Sequence, residues 1–456
     1  MTTLDPAAPT PAAVDTAAPS PATPNPADGA RARELDRLIL HSWSKHGSTN
    51  PFTIARGEGV RLWDYDGREY LDFSSQLVNA NIGHSHPKVV AAIQRQAAEL
   101  ATIAPATTNL TRGEAAERIL SKIDRMAAVF FTNGGADAVE NAIRMARVHT
   151  GRAKVLSHYR SYHGNTGAAI NATGDTRRVG NEFATGHVHC FGPFLYRSEF
   201  WAETEEQEGE RALQHARRVI ESEGPSTFAA ILVEAVPGTA GILPPPPGYL
   251  QGLRELADEH GIVLIIDEVM AGFGRTGEWF AHQHDGVKPD LVTFAKGSNS
   301  GYVPVGGVIM TDEILGTFKD RAIPGGLTYS GHPLAAASIV ASIDAMTDEG
   351  IIEHAKHLGE DILGPGLREL AERHPIIGEV RGRGCFWALD LVTDRGTREP
   401  VDASVIAGLK SALLERGYVP FAADNRIHVV PPLVMSDDDA RRGLEILDEV
   451  FAAHAG

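Results

Sequence analysis

Six short apolar runs, separated by longer segments with a helical pattern, constrain the fold of this chain more than any other feature. The runs are apolar along their whole length, which is typical of strands buried on both faces of a parallel sheet. Helices that connect such strands cover the two faces and give an α/β layer. The predicted strands are Ala127–Thr132, Lys154–His158, Phe228–Val233, Ile262–Ile266, Leu291–Ala295 and Gly307–Met310. The predicted helices between them include Ala138–Thr150, Glu210–Glu223 and Tyr249–Glu259.

The pattern changes beyond this sheet. Thr111 and Glu114 predict a capping box at the start of a helix before the first strand. After Pro333 the sequence predicts two long helices, a short mixed region and a final helix from Asp437, which together indicate a second, smaller α/β unit. Residues 1–30 are dominated by Ala, Pro and Thr, predict a disordered tail and do not have the pattern of a secretory signal.

Composition limits the partners that we expect. The formal net charge is −17, from 42 basic and 59 acidic residues, which disfavours binding to a phosphate backbone. No run approaches the roughly 18 apolar residues that a membrane helix needs. Cys190 and Cys385 lie far apart and offer neither a disulfide framework nor a cysteine metal site. We expect a cytoplasmic protein with no nucleic-acid partner, no membrane partner and no metal.

Two polar residues follow apolar strands at the sheet edge where open α/β sheets bind ligands. Lys296 follows Leu291–Ala295, where partial desolvation lowers the pKa of an amine and makes it a better nucleophile. Asp267 follows Ile262–Ile266, where a buried carboxylate needs a cationic partner such as a protonated pyridine nitrogen. Each residue also has an ordinary interpretation, a lysine that extends to solvent and an aspartate that caps a turn.

A glycine pair and an aromatic residue follow two other strands. Residues 132–137, Thr-Asn-Gly-Gly-Ala-Asp, precede a helix whose N-terminus and exposed N–H groups favour an anion such as phosphate. A tight strand–helix turn explains the same residues. Tyr162, in the segment Ser-Tyr-His-Gly at 161–164, is placed to stack on a planar ligand or to serve as an ordinary loop aromatic.

Two further motifs do not support a site. Residues 272–277 fit the dinucleotide pattern Gly-x-Gly-x-x-Gly, but two acidic residues precede the glycines and residues 278–286 do not predict a helix. We therefore reject nicotinamide binding. His84 and His86 have no carboxylate spaced to complete a metal site, so a structural role is favoured.

The order of these motifs resembles that of the class III aminotransferases, which are pyridoxal-5′-phosphate (PLP) enzymes of fold type I. The most specific matches are residues 264–269 (Leu-Ile-Ile-Asp-Glu-Val), 272–277 (Gly-Phe-Gly-Arg-Thr-Gly) and 294–297 (Phe-Ala-Lys-Gly). Supporting matches are residues 83–87, 131–134, 162–164 and 328–333. The resemblance runs from about Arg31 to the C-terminus.

The resemblance implies an α/β fold with a large, mostly parallel-sheet domain at 96–335 and a smaller α/β domain from residues 31–95 and 336–456. It implies PLP as the cofactor, held as a Schiff base by Lys296, with Asp267 at the pyridine nitrogen. The other residues that it implies to bind the cofactor are Gly134, Gly135, Ala136, Tyr162, His163, Glu234, Val269 and Thr328. Because Thr328 resembles a threonine that reaches the phosphate of the neighbouring subunit, we expect a homodimer or a higher homo-oligomer.

The sequence departs from the family pattern at two places. Gly134 and Ala136 stand where many relatives have serine, and neither offers a hydroxyl to the phosphate. Phe421 stands where many pyruvate-dependent relatives carry an arginine for the substrate carboxylate. Arg426 is a candidate substitute for that arginine, and the alternative is an exposed turn residue paired with Asp424.

The expected reaction is the transfer of an amino group from an ω-amino acid or a primary amine to a keto acid. Pyruvate is favoured because Met270 resembles the residue of pyruvate-using members. A racemase or a decarboxylase of the same fold is the first alternative. A non-catalytic PLP-binding or regulatory protein and a nicotinamide dehydrogenase are the others.

Overall fold

The computed structural model describes residues 24–46, 52–181 and 183–454. These residues form two compact units, one within Met1–Arg56 and Leu62–Glu69 and the other within Gly57–Arg61 and Tyr70–Gly456. Across the described ranges, no helix is both long and apolar enough to cross a membrane. The domain boundaries predicted near residues 95 and 335 lie within the second unit and stay a prediction.

The regular elements are numbered in chain order. The strands are β1 (Ile54–Glu58), β2 (Arg61–Asp64), β3 (Glu69–Asp72), β4 (Met126–Thr132), β5 (Lys154–His158), β6 (His187–Cys190), β7 (Phe228–Glu234), β8 (Val263–Asp267), β9 (Leu291–Phe294), β10 (Gly306–Thr311), β11 (Ile377–Arg383), β12 (Phe386–Asp394), β13 (Glu399–Pro400), β14 (Tyr418–Val419), β15 (Phe421–Ala423) and β16 (Arg426–Val429). The α-helices are α1 (Pro26–Asp36), α2 (Ser75–Val78), α3 (Pro87–Glu99), α4 (Leu110–Leu120), α5 (Gly135–Thr150), α6 (Gly167–Ala172), α7 (Glu205–Glu223), α8 (Tyr249–His260), α9 (Asp312–Gly316), α10 (Pro333–Asp348), α11 (Ile351–His357), α12 (Gly364–Arg373), α13 (Ala403–Glu415) and α14 (Asp437–His454).

The first helix corrects the predicted end of the disordered tail. Residues 1–23 lie outside the described residues, but α1 begins within the segment 1–30. Asn25 caps this helix, since its side-chain oxygen accepts a hydrogen bond of 3.1 Å from the N–H of Ala27. Pro26 occupies the first helical position, where a missing N–H costs nothing. A composition rich in proline therefore concealed a helix start.

The central layer is a seven-stranded sheet with the order β4-β10-β9-β8-β7-β5-β6. Strand β10 runs antiparallel to β4 and to β9, and the other neighbours pair in parallel. All six predicted strands are present, and no strand end moves by more than one residue. The mostly parallel α/β layer is therefore confirmed. Strand β6 was missed because the sequence His-Val-His-Cys contains no apolar run.

The start of α4 differs from the predicted capping box. Asn109 is the N-cap, and its side-chain oxygen accepts a hydrogen bond of 3.2 Å from the N–H of Arg112. Thr111 lies inside the helix, and its hydroxyl donates to Oε1 of Gln96 in α3 at 2.9 Å. The prediction was wrong because an asparagine two residues earlier serves the same capping purpose.

A second sheet, with the path β11-β12-β16-β15 and β13 paired to β12, forms the C-terminal α/β part together with α10 to α14. Its inner face contributes to a continuous apolar core that includes Trp387, Leu389 and Val429. Nearby, β14 pairs in parallel with β3, so that Tyr418 lies opposite Leu71. The second compact unit therefore draws strands from distant parts of the chain.

The glycine motif at 272–277 has a structural role that the dinucleotide pattern does not suggest. Arg275 is fully buried, and its guanidinium donates to the carbonyls of Cys385 and Pro431. It also donates to Oγ of Ser75 at 3.2 Å and to Oδ1 of Asn81 at 2.7 Å. Burial lowers the pKa of Arg275 to about 10, so the group stays protonated at neutral pH.

Candidate active site

One cavity of about 160 Å³ lies at the carboxyl edge of the parallel strands. Open α/β sheets bind their ligands at this edge, because the loops that follow the strands converge there. Strand register brings the acidic ends together, since Asp267 of β8 lies opposite Glu234 of β7 and Thr293 of β9. The predicted residues that line the cavity are Gly135, Ala136, Tyr162, His163, Glu234, Asp267, Val269 and Lys296.

Asp267 is a buried carboxylate with a complete set of partners. Its Oδ2 lies 2.7 Å from Nδ1 of His163, and its Oδ1 accepts from Oγ1 of Thr293 and from the N–H of Val269, both at 3.0 Å. Burial alone would lower the pKa of His163, but the hydrogen bond and the charge of Asp267 outweigh burial and raise it. The site therefore favours the protonated form of His163 beside the carboxylate of Asp267.

Lys296 follows β9 and is half-buried at the cavity wall. Burial lowers the pKa of its amine, while the charges of Asp267 and Glu234 oppose that shift. Its φ angle is +37°, in the left-handed region that a residue with a side chain rarely adopts. Such strain persists where the surrounding structure imposes it, and it concentrates at functional sites.

The N-terminus of α5 opens onto the same cavity. Its first N–H groups lack acceptors within the helix, and the helix dipole adds a partial positive charge. Gly135 is packed so closely that a Cβ there would lie 2.8 Å from Cγ1 of Val269. A Cβ on Gly164, whose φ is +128°, would lie 2.6 Å from Cβ of Ala136. Because Gly134 and Gly135 carry no side chain, the backbone at the start of α5 stays accessible to an anion.

Glu234 and Tyr162 form the adjoining wall. Glu234 accepts hydrogen bonds from the N–H of Tyr162 at 3.1 Å and from the N–H of Gly238 at 2.8 Å. Burial raises the pKa of this carboxyl. The guanidinium of Arg177 lies 3.8 Å from the centre of the Tyr162 ring and forms an ion pair with Asp175. A cation therefore stands beside the cavity, at a position that the sequence did not suggest.

A comparison with known protein families identifies the family to which this cavity and its residues belong. The model of the family described as aminotransferase class-III matches residues 43–451. This chain belongs to the class III aminotransferases. Its fold is that of the fold type I PLP-dependent transferases, and the predicted fold and cofactor are confirmed.

Relatives with assigned reactions cover nearly the whole aminotransferase chain. The taurine–pyruvate aminotransferase of Bilophila wadsworthia is 32% identical over 93% of this chain and 97% of its own length. The 4-aminobutyrate aminotransferase of Escherichia coli is 35% identical over 89% of this chain and 94% of its own. The crystal structure of a taurine:2-oxoglutarate aminotransferase from Bifidobacterium kashiwanohense, in complex with PLP and glutamate, has 40% identity and a TM-score of 0.90. It covers 93% of this chain and 98% of its own.

The residues present in this aminotransferase fit PLP. The start of α5 suits a phosphate, the amine of Lys296 suits an aldehyde, and the carboxylate of Asp267 suits a protonated ring nitrogen. Nε2 of His163 is buried and has no hydrogen-bond partner among the described residues, which leaves a polar atom for a ligand to satisfy.

Four predicted site residues lie outside the wall of this cavity. Gly134 is the N-cap of α5, one residue before the lining begins. Thr328 lies in an exposed loop before α10. Phe421 packs edge-to-face against His428, with ring centres 4.9 Å apart. Arg426 forms the ion pair with Asp424 that the ordinary interpretation expects, yet its side chain is only 12% exposed.

Sequence reasoning missed Thr239, Gly164 and Ala295 as lining residues and treated Met270 only as a hint about the acceptor. Thr239 connects the cavity to Arg426, because its carbonyl accepts a hydrogen bond of 3.4 Å from Nη2 of that arginine. Gly164 and Ala295 lie within motifs that the sequence showed, after β5 and β9, but no motif marks Thr239, which reaches the cavity through the loop after β7.

The two histidines of the N-terminal region contact carboxylates. Nε2 of His84 lies 2.9 Å from Oδ2 of Asp72, and Nε2 of His86 lies 3.2 Å from Oε2 of Glu349. Both contacts are consistent with the structural role that was favoured for these histidines.

Proposed function

We propose that this enzyme transfers the amino group of an ω-amino acid or a primary amine to pyruvate, with Lys296 and Asp267 as its central catalytic residues. The observation that carries the proposal is that an amine of lowered pKa and a buried carboxylate face one cavity, beside an open helix N-terminus. Each group suits a different part of the cofactor.

The chain's own residues have distinct roles in holding PLP. Gly135 and Ala136, at the start of α5, would bind the phosphate through their backbone N–H groups, and Gly134 precedes them as the N-cap. Tyr162 and Val269, which line the same cavity, would contact the two faces of the ring, and His163 and Glu234 would lie near it. PLP supplies an electron sink that stabilises negative charge on the substrate carbon, provided that its ring nitrogen stays protonated. Asp267 keeps that proton in place.

Lys296 acts as the base. An amine whose pKa is lowered by burial is neutral in a larger fraction of molecules at neutral pH, so its Nζ accepts a proton from the substrate carbon. The neighbouring carboxylates of Asp267 and Glu234 keep the resulting ammonium stable enough to return the proton. The same side chain therefore serves both half-reactions.

The substrate assignment rests on relatives and on the cavity wall. Relatives that act on taurine, 4-aminobutyrate and 5-aminovalerate all take an amine at the end of a short chain with an acidic group. Two relatives, from Bilophila wadsworthia and Paracoccus denitrificans, use pyruvate. Arg426, behind Thr239, is the proposed contact for the carboxylate of the keto acid, in the place that Phe421 leaves without a charge.

We also propose that the enzyme works in the cytoplasm as a homodimer or a higher homo-oligomer. Cys190 and Cys385 are both buried and free, which suits a reducing compartment. Thr328 is exposed within its own chain and lies outside the cavity wall. It is therefore available to the phosphate site of a second subunit.

A donor panel tests the proposed function. Purified enzyme with PLP is incubated with taurine, β-alanine, 4-aminobutyrate or 1-aminobutane, in the presence of pyruvate or 2-oxoglutarate. Alanine must form with at least one donor and pyruvate, and its formation separates this reaction from racemisation and decarboxylation. Formation of glutamate alone would contradict the pyruvate assignment. No amino acid product with any donor would contradict the proposal.

A further inference from the structure

Met270 lines the cavity next to a glycine that has no space for a side chain. A Cβ on Gly238 would lie 2.1 Å from Sδ of Met270 and 3.0 Å from Cζ of Phe386. The backbone of Gly238 is not in the left-handed region, so its conformation alone does not require glycine. Glycine is required at position 238 because there is no room for a Cβ. The thioether of Met270 lies against the backbone of residue 238.

The side chain of Met270 has packed protein on one side and the cavity on the other. It packs against an apolar cluster that includes Val236, Ala271 and Phe386, all of them buried. A packed interior leaves few voids larger than a water molecule, so this side does not accept a displaced side chain. Only the side of Met270 that lines the cavity has free space next to it. Methionine has three rotatable bonds and adapts its shape readily, so any pressure from residue 238 moves its thioether towards the cavity.

We propose that Gly238 and Met270 together set the size of substrate that the active site accepts. Gly238 is a positioning residue, which acts through Met270 by letting the thioether lie back from the cavity. Met270 is the specificity-determining wall. The proposal rests on the proposed aminotransferase function and extends it, because it states which residues limit the length of the keto acid or amine. Added bulk at residue 238 narrows the pocket, and a shorter residue 270 widens it.

The test uses two keto acids that differ only in length, pyruvate and 2-oxohexanoate, with PLP-loaded enzyme and the best donor of the panel. Gly238→Ala should raise KM for 2-oxohexanoate relative to KM for pyruvate by about tenfold or more, since one misplaced methylene in an apolar pocket has an effect of that order. The PLP content, read from the absorbance of the bound cofactor, should stay at the wild-type level. Met270→Ala should shift the ratio of the two KM values in the opposite direction.

A double variant separates pocket size from damage to the backbone. In Gly238→Ala/Met270→Ala the methyl group has no thioether to displace, so the preference for pyruvate should fall back to the wild-type ratio or below it. Equal losses with both keto acids, without recovery in the double variant, would overturn the proposal. That outcome would assign the effect to the hydrogen bond between the N–H of Gly238 and Glu234.

Gly252→Ala is the matched control. A Cβ on Gly252 would lie 2.2 Å from Cδ2 of Leu213, where α8 packs on α7. The steric conflict is similar, but neither residue lines the cavity, so this variant should lower Tm and leave the ratio of KM values unchanged. Wild-type enzyme that turns over neither keto acid with any donor contradicts the proposed function. Normal wild-type turnover with an unaltered ratio in Gly238→Ala contradicts this inference alone.

Discussion

Lys296 joins chemical and conformational features that ordinary surface lysines do not share. Burial lowers the pKa of its amine, and its backbone is held at a φ of +37°. Borohydride treatment of PLP-loaded enzyme should therefore attach the cofactor to Lys296, as read by peptide mapping with mass spectrometry. Lys296→Ala should lower kcat by roughly 10²–10⁴-fold, the range of a general base, while PLP still binds at α5. Label on another lysine, such as the exposed residue Lys319, would contradict the assignment.

Asp267 should affect rate more than cofactor binding. In Asp267→Asn the amide oxygen can still accept the hydrogen bond from Thr293, but the neutral amide no longer stabilises the proton on the ring nitrogen. We expect kcat to fall by about 10²–10³-fold, as for the loss of one preorganised electrostatic partner, with nearly normal PLP content. Asp290→Asn is the control, because Asp290 bonds the N–H of Leu264 away from the cavity and should affect only Tm. A near-normal kcat in Asp267→Asn would make Asp267 a structural cap.

Arg426 should matter for only one half of the reaction. Its guanidinium is largely buried and touches the carbonyl of Thr239, which lines the cavity. If it binds the carboxylate of pyruvate, Arg426→Ala should raise KM for pyruvate by about tenfold, because a charge-assisted hydrogen bond is lost. The half-reaction with a carboxylate-free amine, followed by stopped-flow absorbance, should change little. Equal loss in both half-reactions would indicate structural damage, and loss in neither would place the carboxylate contact elsewhere.

At the scale of elements, the local sequence pattern was sufficient to predict strands that are buried along their whole length. It was insufficient to predict features that depend on packing between distant segments. The strands β7 and β8 are buried along their whole length, so continuous apolar runs revealed them. Strand β6 alternates polar and apolar residues at a sheet edge and gave no such signal. The ends of β8 and β9 predicted Asp267 and Lys296, since the carboxyl edge of a parallel sheet is fixed by topology. Their hydrogen-bond partners and strain could not be predicted, because these depend on loops from other strands.

Thr239 and Met270, which line the cavity, also could not be predicted as lining residues from local sequence pattern. Thr239 accepts a hydrogen bond from Arg426, and Met270 packs against a cluster that contains Phe386, so each has a partner far away in sequence. No spacing rule connects such pairs in one sequence. The residues proposed to bind the cofactor could therefore be predicted from the sequence, and the residues proposed to shape the substrate pocket could not.

The turn at 272–277 should contribute to stability rather than to chemistry. Arg275→Met keeps side-chain volume but removes the donors to Ser75, Asn81, Cys385 and Pro431. Each buried acceptor left without a donor costs about 1–3 kcal/mol, so the free energy of unfolding should fall by several kcal/mol in urea denaturation. Arg442→Met is the control, since that arginine is half exposed and its ion pairs contribute little. Unfolding of Arg275→Met at the wild-type urea midpoint would refute this role.

At the scale of the whole molecule, the second compact unit holds the site together from distant parts of the chain. Strand β3 pairs with β14, and Arg275 joins the loop after β8 to residues on both sides of it in sequence. Thr328 is different, because it lies in an exposed loop of the same unit and does not line the cavity. If Thr328 binds the phosphate, we therefore expect it to do so in a second subunit.

Mixed dimers test that role. Thr328→Ala should weaken PLP binding by roughly tenfold, the effect of one lost hydrogen bond to a charged group. Lys296→Ala should be inactive because it lacks the base. If Thr328 serves the neighbouring subunit, a dimer of one Lys296→Ala chain and one Thr328→Ala chain contains one native site, with Lys296 from the second chain and Thr328 from the first. Unfolding and refolding the two variants together, at a PLP concentration that does not saturate Thr328→Ala, should then give more activity than the separately refolded variants provide. If Thr328 served its own chain, neither site of the mixed dimer would be native, and the mixture would show only the average of the two variants.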